Sequence, residues 1–209
     1  ALRICRPGWR SDIDLFSEAI WLQALARETD IGAPVPLAAR NGEVIVTAGA
    51  EGVPEPRRCA ITTWIAGSPL RKRLTPGNLY KMGALLAQLH QHAATFTPPP
   101  GFTRRRLDRI LARGEQDVLF DASCMASLTA QAQTALIQTR QRVERALALL
   151  YADPAGQRVI HNDLWHGNIK VHHGRLHPLD FEDTVWGYPV QDIAPALQDL
   201  MMDTQPEEY

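Results

Sequence analysis

Four polar side chains in one short stretch have the types and spacing that phosphoryl transfer requires. Residues 159–183 read VIHNDLWHGNIKVHHGRLHPLDFED and include Asp163, Asn168, Asp180 and Asp183. A carboxylate can orient an attacking hydroxyl and accept its proton, and carboxylate and carbonyl oxygens are the ligands that Mg²⁺ prefers. The stretch therefore indicates a site that aims an alcohol at a metal-bound phosphate.

The spacing matches the catalytic pattern of protein kinases, H-R-D-L-x-x-x-N followed by D-F-G. Here His161 begins the segment H-N-D-L-x-x-x-N, and D-F-E-D follows from position 180. The match predicts that Asp163 is the catalytic base and that Asn168 and Asp180 hold Mg²⁺. Asp183 would support the metal or its water. The alternative is a polar hairpin whose Asp and Asn side chains make only turn hydrogen bonds.

Short apolar runs around the motif predict the strands that must position it. Arg158–Ile160 is a candidate buried strand before the loop, and Ile169–Val171 is a second strand after it. The His-Gly pair at 173–174 is a turn signal, so Leu176–Leu179 is the returning strand of a hairpin. This hairpin would bring Asp180 back beside the loop.

At these positions the chain resembles the aminoglycoside phosphotransferase-like kinases, whose loop usually reads H-G-D-x-x-x-x-N and is followed by D-x-x-D. Asp163, Asn168, Asp180 and Asp183 match that pattern, whereas Asn162 and Glu182 depart from its commonest letters. The superfamily includes antibiotic kinases, choline and homoserine kinases, and a bacterial stress-response Ser/Thr kinase. The resemblance implies an α+β, bilobal, protein-kinase-like fold with ATP and two Mg²⁺ in its cleft.

The N-terminal part predicts a small lobe of sheet and helix. Leu2–Cys5 reads as a strand, and a helix capped by Ser11 continues to about Glu28. Strands follow at Glu43–Thr47 and Cys59–Ile65. This order resembles a kinase small lobe from its third strand onward.

We therefore expect a small lobe over residues 1–66 and a mainly helical lobe with the catalytic hairpin over residues 67–209. The glycine-rich phosphate loop of kinases is not in the sequence. The simplest expectation is that the small lobe is truncated and that this loop lies before Ala1.

The resemblance also implies which residues contact the nucleotide. Arg3 would be the strand cation that contacts the α- and β-phosphates, and Glu18 on the helix would pair with it. The family usually has lysine at the position of Arg3, and a surface ion pair is the alternative for these two residues. Trp64 and Ile65 would form the hinge, where backbone groups at the end of the strand bind adenine.

Helical spacing dominates after the hinge. It predicts a helix from Thr75 to about Ala94, a short helix over Leu107–Leu111 and one long helix over Asp121–Tyr151, with an early interruption of that helix as the alternative. The segment around Asp192 resembles the start of a helix behind the family's active site. We expect Asp192 to brace the catalytic loop by hydrogen bonds.

Histidines crowd the motif region, at His161, His166, His172, His173 and His177. Imidazole suits Zn²⁺, Fe²⁺ and Cu²⁺, so a transition-metal site is the alternative to a magnesium site. The spacing disfavours it, because the first two histidines flank a loop rather than one face of a helix. We expect His161 to hold the loop through a hydrogen bond to the backbone or to the region of Asp180.

Composition excludes several other classes of protein. The 209 residues are 45% hydrophobic with a net charge of −1, which favours a globular domain without a nucleic-acid partner. No apolar run is long enough to span a membrane. Cys5, Cys59 and Cys124 form no CxxC pair, so a cytoplasmic location is expected.

Three functions follow from these patterns. The first is an ATP-dependent phosphotransferase that acts on a hydroxyl of a small molecule such as an aminoglycoside, choline or homoserine. The second is a Ser/Thr protein kinase of the stress-response type. The third is a nucleotide-binding module without catalysis, which Arg3 and the missing phosphate loop favour.

Overall fold

The computed structural model describes residues 1–103, 105–112 and 114–203. Within these residues the chain forms five α-helices and nine short β-strands. In chain order they are β1 (Leu2–Ile4), α1 (Asp12–Glu28), β2 (Pro36–Leu37), β3 (Ile45–Ala48), β4 (Arg57–Thr62), β5 (Ser68–Pro69), α2 (Pro76–Thr95), α3 (Ala122–Ala126), α4 (Ala130–Ala152), β6 (Arg158–Ile160), β7 (Ile169–His172), β8 (Arg175–Pro178), β9 (Val185–Gly187) and α5 (Pro189–Asp203).

Strand β4 organises the first sheet, because β1, β2 and β3 all pair with it in antiparallel orientation. Ala60 lies opposite both Arg3 of β1 and Ile45 of β3, so these two strands flank β4 on opposite edges. The two-residue strand β2 was not predicted, since its sequence has no alternation and its pairing partner lies far along the chain. The sheet holds Arg3 in a fixed register.

Helix α1 connects this sheet to the rest of the molecule. A capping box starts it: the Asp14 N–H donates to Ser11 Oγ (3.2 Å), and the Ser11 N–H donates to the Asp14 carboxylate (3.2 Å). Its inner face buries Trp21, Leu22 and Leu25, which belong to one apolar core with residues of α2 and the β7–β8 hairpin. The proposed boundary between residues 66 and 67 is therefore crossed by a shared core.

The predicted hairpin is present. Strands β7 and β8 pair with Ile169 opposite Pro178 and His172 opposite Arg175, so the turn falls at 173–174. Strand β5, immediately after the expected hinge, pairs with β7. Strands β6 and β9, which precede and follow the motif residues in the chain, form a separate antiparallel pair. The motif is thus enclosed by two small antiparallel units.

Two predictions of secondary structure are wrong. The strand expected at Cys59–Ile65 runs instead over Arg57–Thr62. The helix expected over Leu107–Leu111 is not formed, because the Leu107 N–H donates to the carbonyl of Trp186 and the segment lies along β9.

The long helix expected over Asp121–Tyr151 has the early interruption given as the alternative, and it forms two helices, α3 and α4. The Ser127 N–H closes the first by donating to the carbonyls of Cys124 and Met125. Thr129 then caps the second, accepting from the Ala132 N–H. Side-chain caps therefore override a continuous helical pattern.

In the part of the chain that the structure describes, no helix is both long enough and apolar enough to cross a membrane.

Position 67 favours glycine for two reasons. Its backbone has φ +112°, and a Cβ added there would lie 2.4 Å from the carbonyl oxygen of Val171. We expect Gly67→Ala to lower the free energy of unfolding by more than about 1 kcal/mol, since both the backbone conformation and the approach of β7 oppose a side chain. Urea denaturation measures it.

The matched control is Gly83→Ala in α2, where an added Cβ meets no atom within 4 Å. Alanine there should stabilise the helix by about 0.8–1 kcal/mol. Equal effects of the two substitutions would contradict the packing of β7 against residue 67.

Candidate active site

The loop that carries Asp163 and Asn168 is fixed at its start by His161, which is fully buried. Its Nδ1 accepts the Asp163 N–H (3.3 Å), and its Nε2 therefore carries the proton and donates to the carbonyl of Leu179 (2.9 Å). Burial lowers the pKa of His161, which keeps the ring neutral and preserves this tautomer. The contact predicted for His161 is present and joins the loop to the end of β8.

Asp192 of α5 braces the same loop from behind. Its buried carboxylate accepts the backbone N–H groups of His161 (3.1 Å) and Asn162, and His90 Nε2 lies 2.9 Å away. Asn162 has φ +66°, a conformation that a non-glycine residue keeps only when its surroundings hold it. The hydrogen bonds expected of Asp192 are thus observed, and they turn the chain toward Asp163.

Asp163 and Asn168 are brought into direct contact. Asn168 Nδ2 donates to the Asp163 carboxylate (2.7 Å) and to the Asp163 carbonyl (2.9 Å). The Asn168 amide group uses its donor in these bonds, which leaves Oδ1 as its acceptor atom. The geometry holds one carboxylate in place beside one amide oxygen.

Asp180 lies where the hairpin ends, in a left-handed backbone conformation with φ +60°. Its neighbour Phe181 is buried against Trp21 (ring centroids 5.4 Å apart) and His161 (4.5 Å). The Leu179 N–H donates to the carbonyl of Asn168 (2.8 Å). Packing on one side and the backbone hydrogen bond on the other therefore set the position of Asp180 relative to the loop.

Arg3 and Glu18 form a two-pronged ion pair with both N–O distances at 2.6 Å. The carboxylate of Glu18 is nearly buried, with 8% of its side chain exposed, against 35% for Arg3. Both residues line a cavity of about 290 Å³ together with Asp180 and Thr62. The structure therefore brings the predicted strand cation, its helix partner and one predicted metal ligand to one cavity.

The carboxylates of this region perturb one another. Partial burial, and then the negative charges of Asp183 and Asp180, raise the pKa of Asp163 to about 6. Partial desolvation, and then the charge of Glu182, raises the pKa of Asp180, while Arg3 acts in the opposite direction. Such mutual repulsion favours a bound cation, because a cation stabilises the ionised form of each acid.

Asp183 has a partner that the sequence did not indicate. The buried guanidinium of Arg10 donates to the Asp183 carboxylate and lies 3.7 Å from Glu182. Arg10 precedes α1, so it is remote from Asp183 in the chain and follows no motif. The signal that could have identified it is an arginine beside an N-terminal cap, where a cation is unfavourable unless paired.

The donor set fits magnesium. Among the described residues, no three His, Cys, Asp or Glu side chains are grouped so as to hold a metal ion. Magnesium needs no such group, since it binds through one or two carboxylates together with waters and phosphate oxygens. Asp180 and the Asn168 amide oxygen offer ligands of that kind, and Asp183 is held by Arg10 nearby.

The hinge residues are not brought to the 290 Å³ cavity, whose lining reaches Thr62 but includes neither Trp64 nor Ile65. Strand β4 ends before them, so the expected strand end is not formed there. Trp64 is 73% exposed, and the carbonyl of Ile65 accepts a hydrogen bond from Lys170 Nζ (2.7 Å).

Solved structures of similar fold span most of the chain. An amicoumacin kinase, hAmiN, in complex with AMP-PNP, Ca²⁺ and Ami matches with a TM-score of 0.75 and 20% identity, covering 96% of this chain and 57% of that one. A microcompartment-associated aminopropanol kinase matches with a TM-score of 0.72 and 22% identity, covering 94% and 61%. Spectinomycin phosphotransferase APH(9)-Ia with ADP gives 0.64 and 14%, covering 99% and 64%.

The chain thus spans between 57% and 64% of the length of these three proteins. At these identities the likeness concerns the fold, and the predicted α+β kinase-like fold is confirmed. No curated protein sequence matches the chain significantly. The sequence model of the phosphotransferase enzyme family matches residues 1–209, the whole length, so the chain belongs to that family.

Proposed function

We propose that this chain transfers the γ-phosphate of ATP to a hydroxyl of a small molecule. The observation that carries the proposal is the contact between Asp163 and Asn168 on a loop braced by Asp192. A carboxylate held beside an amide oxygen, with Asp180 nearby, is the arrangement that phosphoryl transfer uses.

Asp163 would orient the acceptor hydroxyl and take its proton. A pKa of about 6 leaves the carboxylate mostly ionised at neutral pH while keeping it a better base than an ordinary aspartate. Its hydrogen bond from Asn168 fixes the oxygen that Asn168 contacts. The second carboxylate oxygen would then face the hydroxyl.

Asn168 and Asp180 would hold Mg²⁺, with Asp183 supporting the site from its ion pair with Arg10. Bound magnesium neutralises charge on the phosphate oxygens. Arg3, held by Glu18, would contact the α- and β-phosphates from the cavity that it lines together with Asp180. Arginine can hold phosphate through two N–H groups, so it can replace the family's usual lysine in this role.

The hinge segment at Trp64 and Ile65 would contact the base of the nucleotide through its backbone. A small-molecule acceptor is favoured over a protein because the similar structures include an aminopropanol kinase and a spectinomycin phosphotransferase. We therefore propose an amino alcohol or an aminoglycoside, choline or homoserine-like compound as the acceptor class. The three cysteines are free thiols, which suits a reaction in the cytoplasm.

Replacement of Asp163 tests the assignment of the base. We expect Asp163→Ala to lower kcat at least about 100-fold, since a positioned base contributes roughly 10²–10⁴ in rate. Binding of ATP with Mg²⁺, measured as a rise in melting temperature, should persist in this variant. Turnover is measured as ADP release with a panel of amino alcohols, aminoglycosides, homoserine and a generic protein substrate.

The matched control is Asp12→Ala, whose side chain is 85% exposed and lies outside the proposed site. It should leave turnover unchanged. Full activity in Asp163→Ala would contradict the assignment of Asp163 as the base. A wild-type protein that gains no thermal stability from ATP with Mg²⁺ would contradict the proposed nucleotide site.

The raised pKa of Asp163 also predicts a stability that depends on pH. The folded protein binds this proton up to about pH 6, whereas an unfolded aspartate loses it near 3.8, so the free energy of unfolding falls as pH rises through this window. Asparagine cannot ionise, and its oxygen can still accept from Asn168. Without Mg²⁺, Asp163→Asn should therefore unfold a few degrees higher than wild type at pH 7.5.

The gain should be on the order of 1–2 kcal/mol at pH 7.5, allowing for solvent screening of a half-buried group, and should vanish below about pH 4. Calorimetric melting in EDTA across this pH range measures it. A difference between the two proteins that is independent of pH would contradict the raised pKa of Asp163.

A further inference from the structure

Lys170 bridges the hairpin and the hinge. On β7 the side chains of Ile169 and Val171 face the core, so Lys170 between them points to the opposite face. Its Nζ donates to the carbonyl of Ile65 (2.7 Å) and lies 4.2 Å from the ring centroid of Trp64. A single cation thus contacts both residues of the segment proposed to hold the base.

Both contacts stabilise the ammonium without cancelling its charge. A carbonyl oxygen and an aromatic face carry only partial negative charge. An ammonium has three N–H donors and no acceptor, and Ile65 engages one of them. The group therefore presents positive charge and donor capacity beside the hinge, where only an acceptor atom can pair with it.

Adenine and guanine differ in what they offer to such a donor. Guanine presents two neighbouring acceptors, O6 and N7, and a lysine ammonium pairs readily with both. Adenine has an amino group in place of O6, which is itself a donor. An amino group that faces an ammonium loses its hydrogen bond to water and gains none in return.

We propose that Lys170 determines the choice of base, and that the cleft binds GTP at least as tightly as ATP. The proposal rests on the proposed function, since it assumes that the base lies against Trp64 and Ile65. The γ-phosphate and its transfer are the same in both nucleotides, so the roles of Asp163 and the metal ligands do not change.

Calorimetric titration with the non-hydrolysable analogues AMP-PNP and GMP-PNP, each with Mg²⁺, tests this inference. For the wild type the Kd of AMP-PNP should equal or exceed that of GMP-PNP. The ratio that reports the preference is the Kd of AMP-PNP divided by the Kd of GMP-PNP. In Lys170→Met and in Lys170→Gln this ratio should fall about tenfold, which is the size of one good base contact. Lys170→Arg should keep the wild-type ratio, because a guanidinium also donates to O6 and N7.

The matched control is Lys81→Met. Lys81 Nζ also donates to a backbone carbonyl at 2.7 Å, that of Gly174, but Lys81 lies on α2 rather than beside the hinge. Its replacement should leave the ratio unchanged. Circular dichroism melting checks that each variant folds.

The outcomes separate this inference from the function on which it rests. If both analogues bind the wild type but neither neutral variant changes their ratio, the role of Lys170 is wrong and the proposed function stands. A wild type that prefers AMP-PNP also overturns the inference alone. If neither analogue binds, the proposed function fails and the inference fails with it.

Discussion

One buried carboxylate determines the geometry of the site. Asp192 accepts the N–H groups of His161 and Asn162, two successive amides that would otherwise be buried without partners. The pair of hydrogen bonds holds Asn162 in a left-handed conformation, and this turn directs the next residue, Asp163, out of the core. His161 then ties the same loop to Leu179 at the end of the hairpin. The orientation of the proposed base is thus set by groups that do not take part in the chemistry.

The site concentrates negative charge at a cost to stability. Burial raises the pKa values of Asp163 and Asp180, and the charge of Asp183 raises both further, while Arg3 only partly compensates at Asp180. Arg3 is committed to Glu18, and Arg10 is committed to Asp183. A fold selected for stability alone would separate these acids or place a cation between them. The uncompensated charge is therefore best explained as a property kept for binding a cation.

Much of the site could be predicted from sequence because its determinants are local. The hairpin and the position of Asp180 at its end follow from spacings of a few residues and from one turn, whereas the hydrogen bond between Asn168 and Asp163 was not predicted. The position of Arg10 beside a helix cap indicates that it needs an anionic partner, but that partner, Asp183, could not be predicted because it lies 173 residues away and no pattern links the two. The extended segment at Leu107 was predicted as a helix for the same reason: its backbone is held by Trp186, and a distant hydrogen bond overrode local propensity.

The relation between the two lobes follows from where the apolar core lies. Helix α1 belongs to the small lobe by sequence, yet Trp21 and Leu25 pack in the same core as α2 and Phe181. The sheet acts on Asp180 through charge, since Arg3 of β1 interacts electrostatically with Asp180 and forms an ion pair with Glu18 of α1. Polar links exchange partners with water, phosphate or a metal at small net cost, whereas an apolar core does not. Binding at the cleft can therefore rearrange the charged groups, while the packing of α1 against Phe181 keeps Asp180 in place.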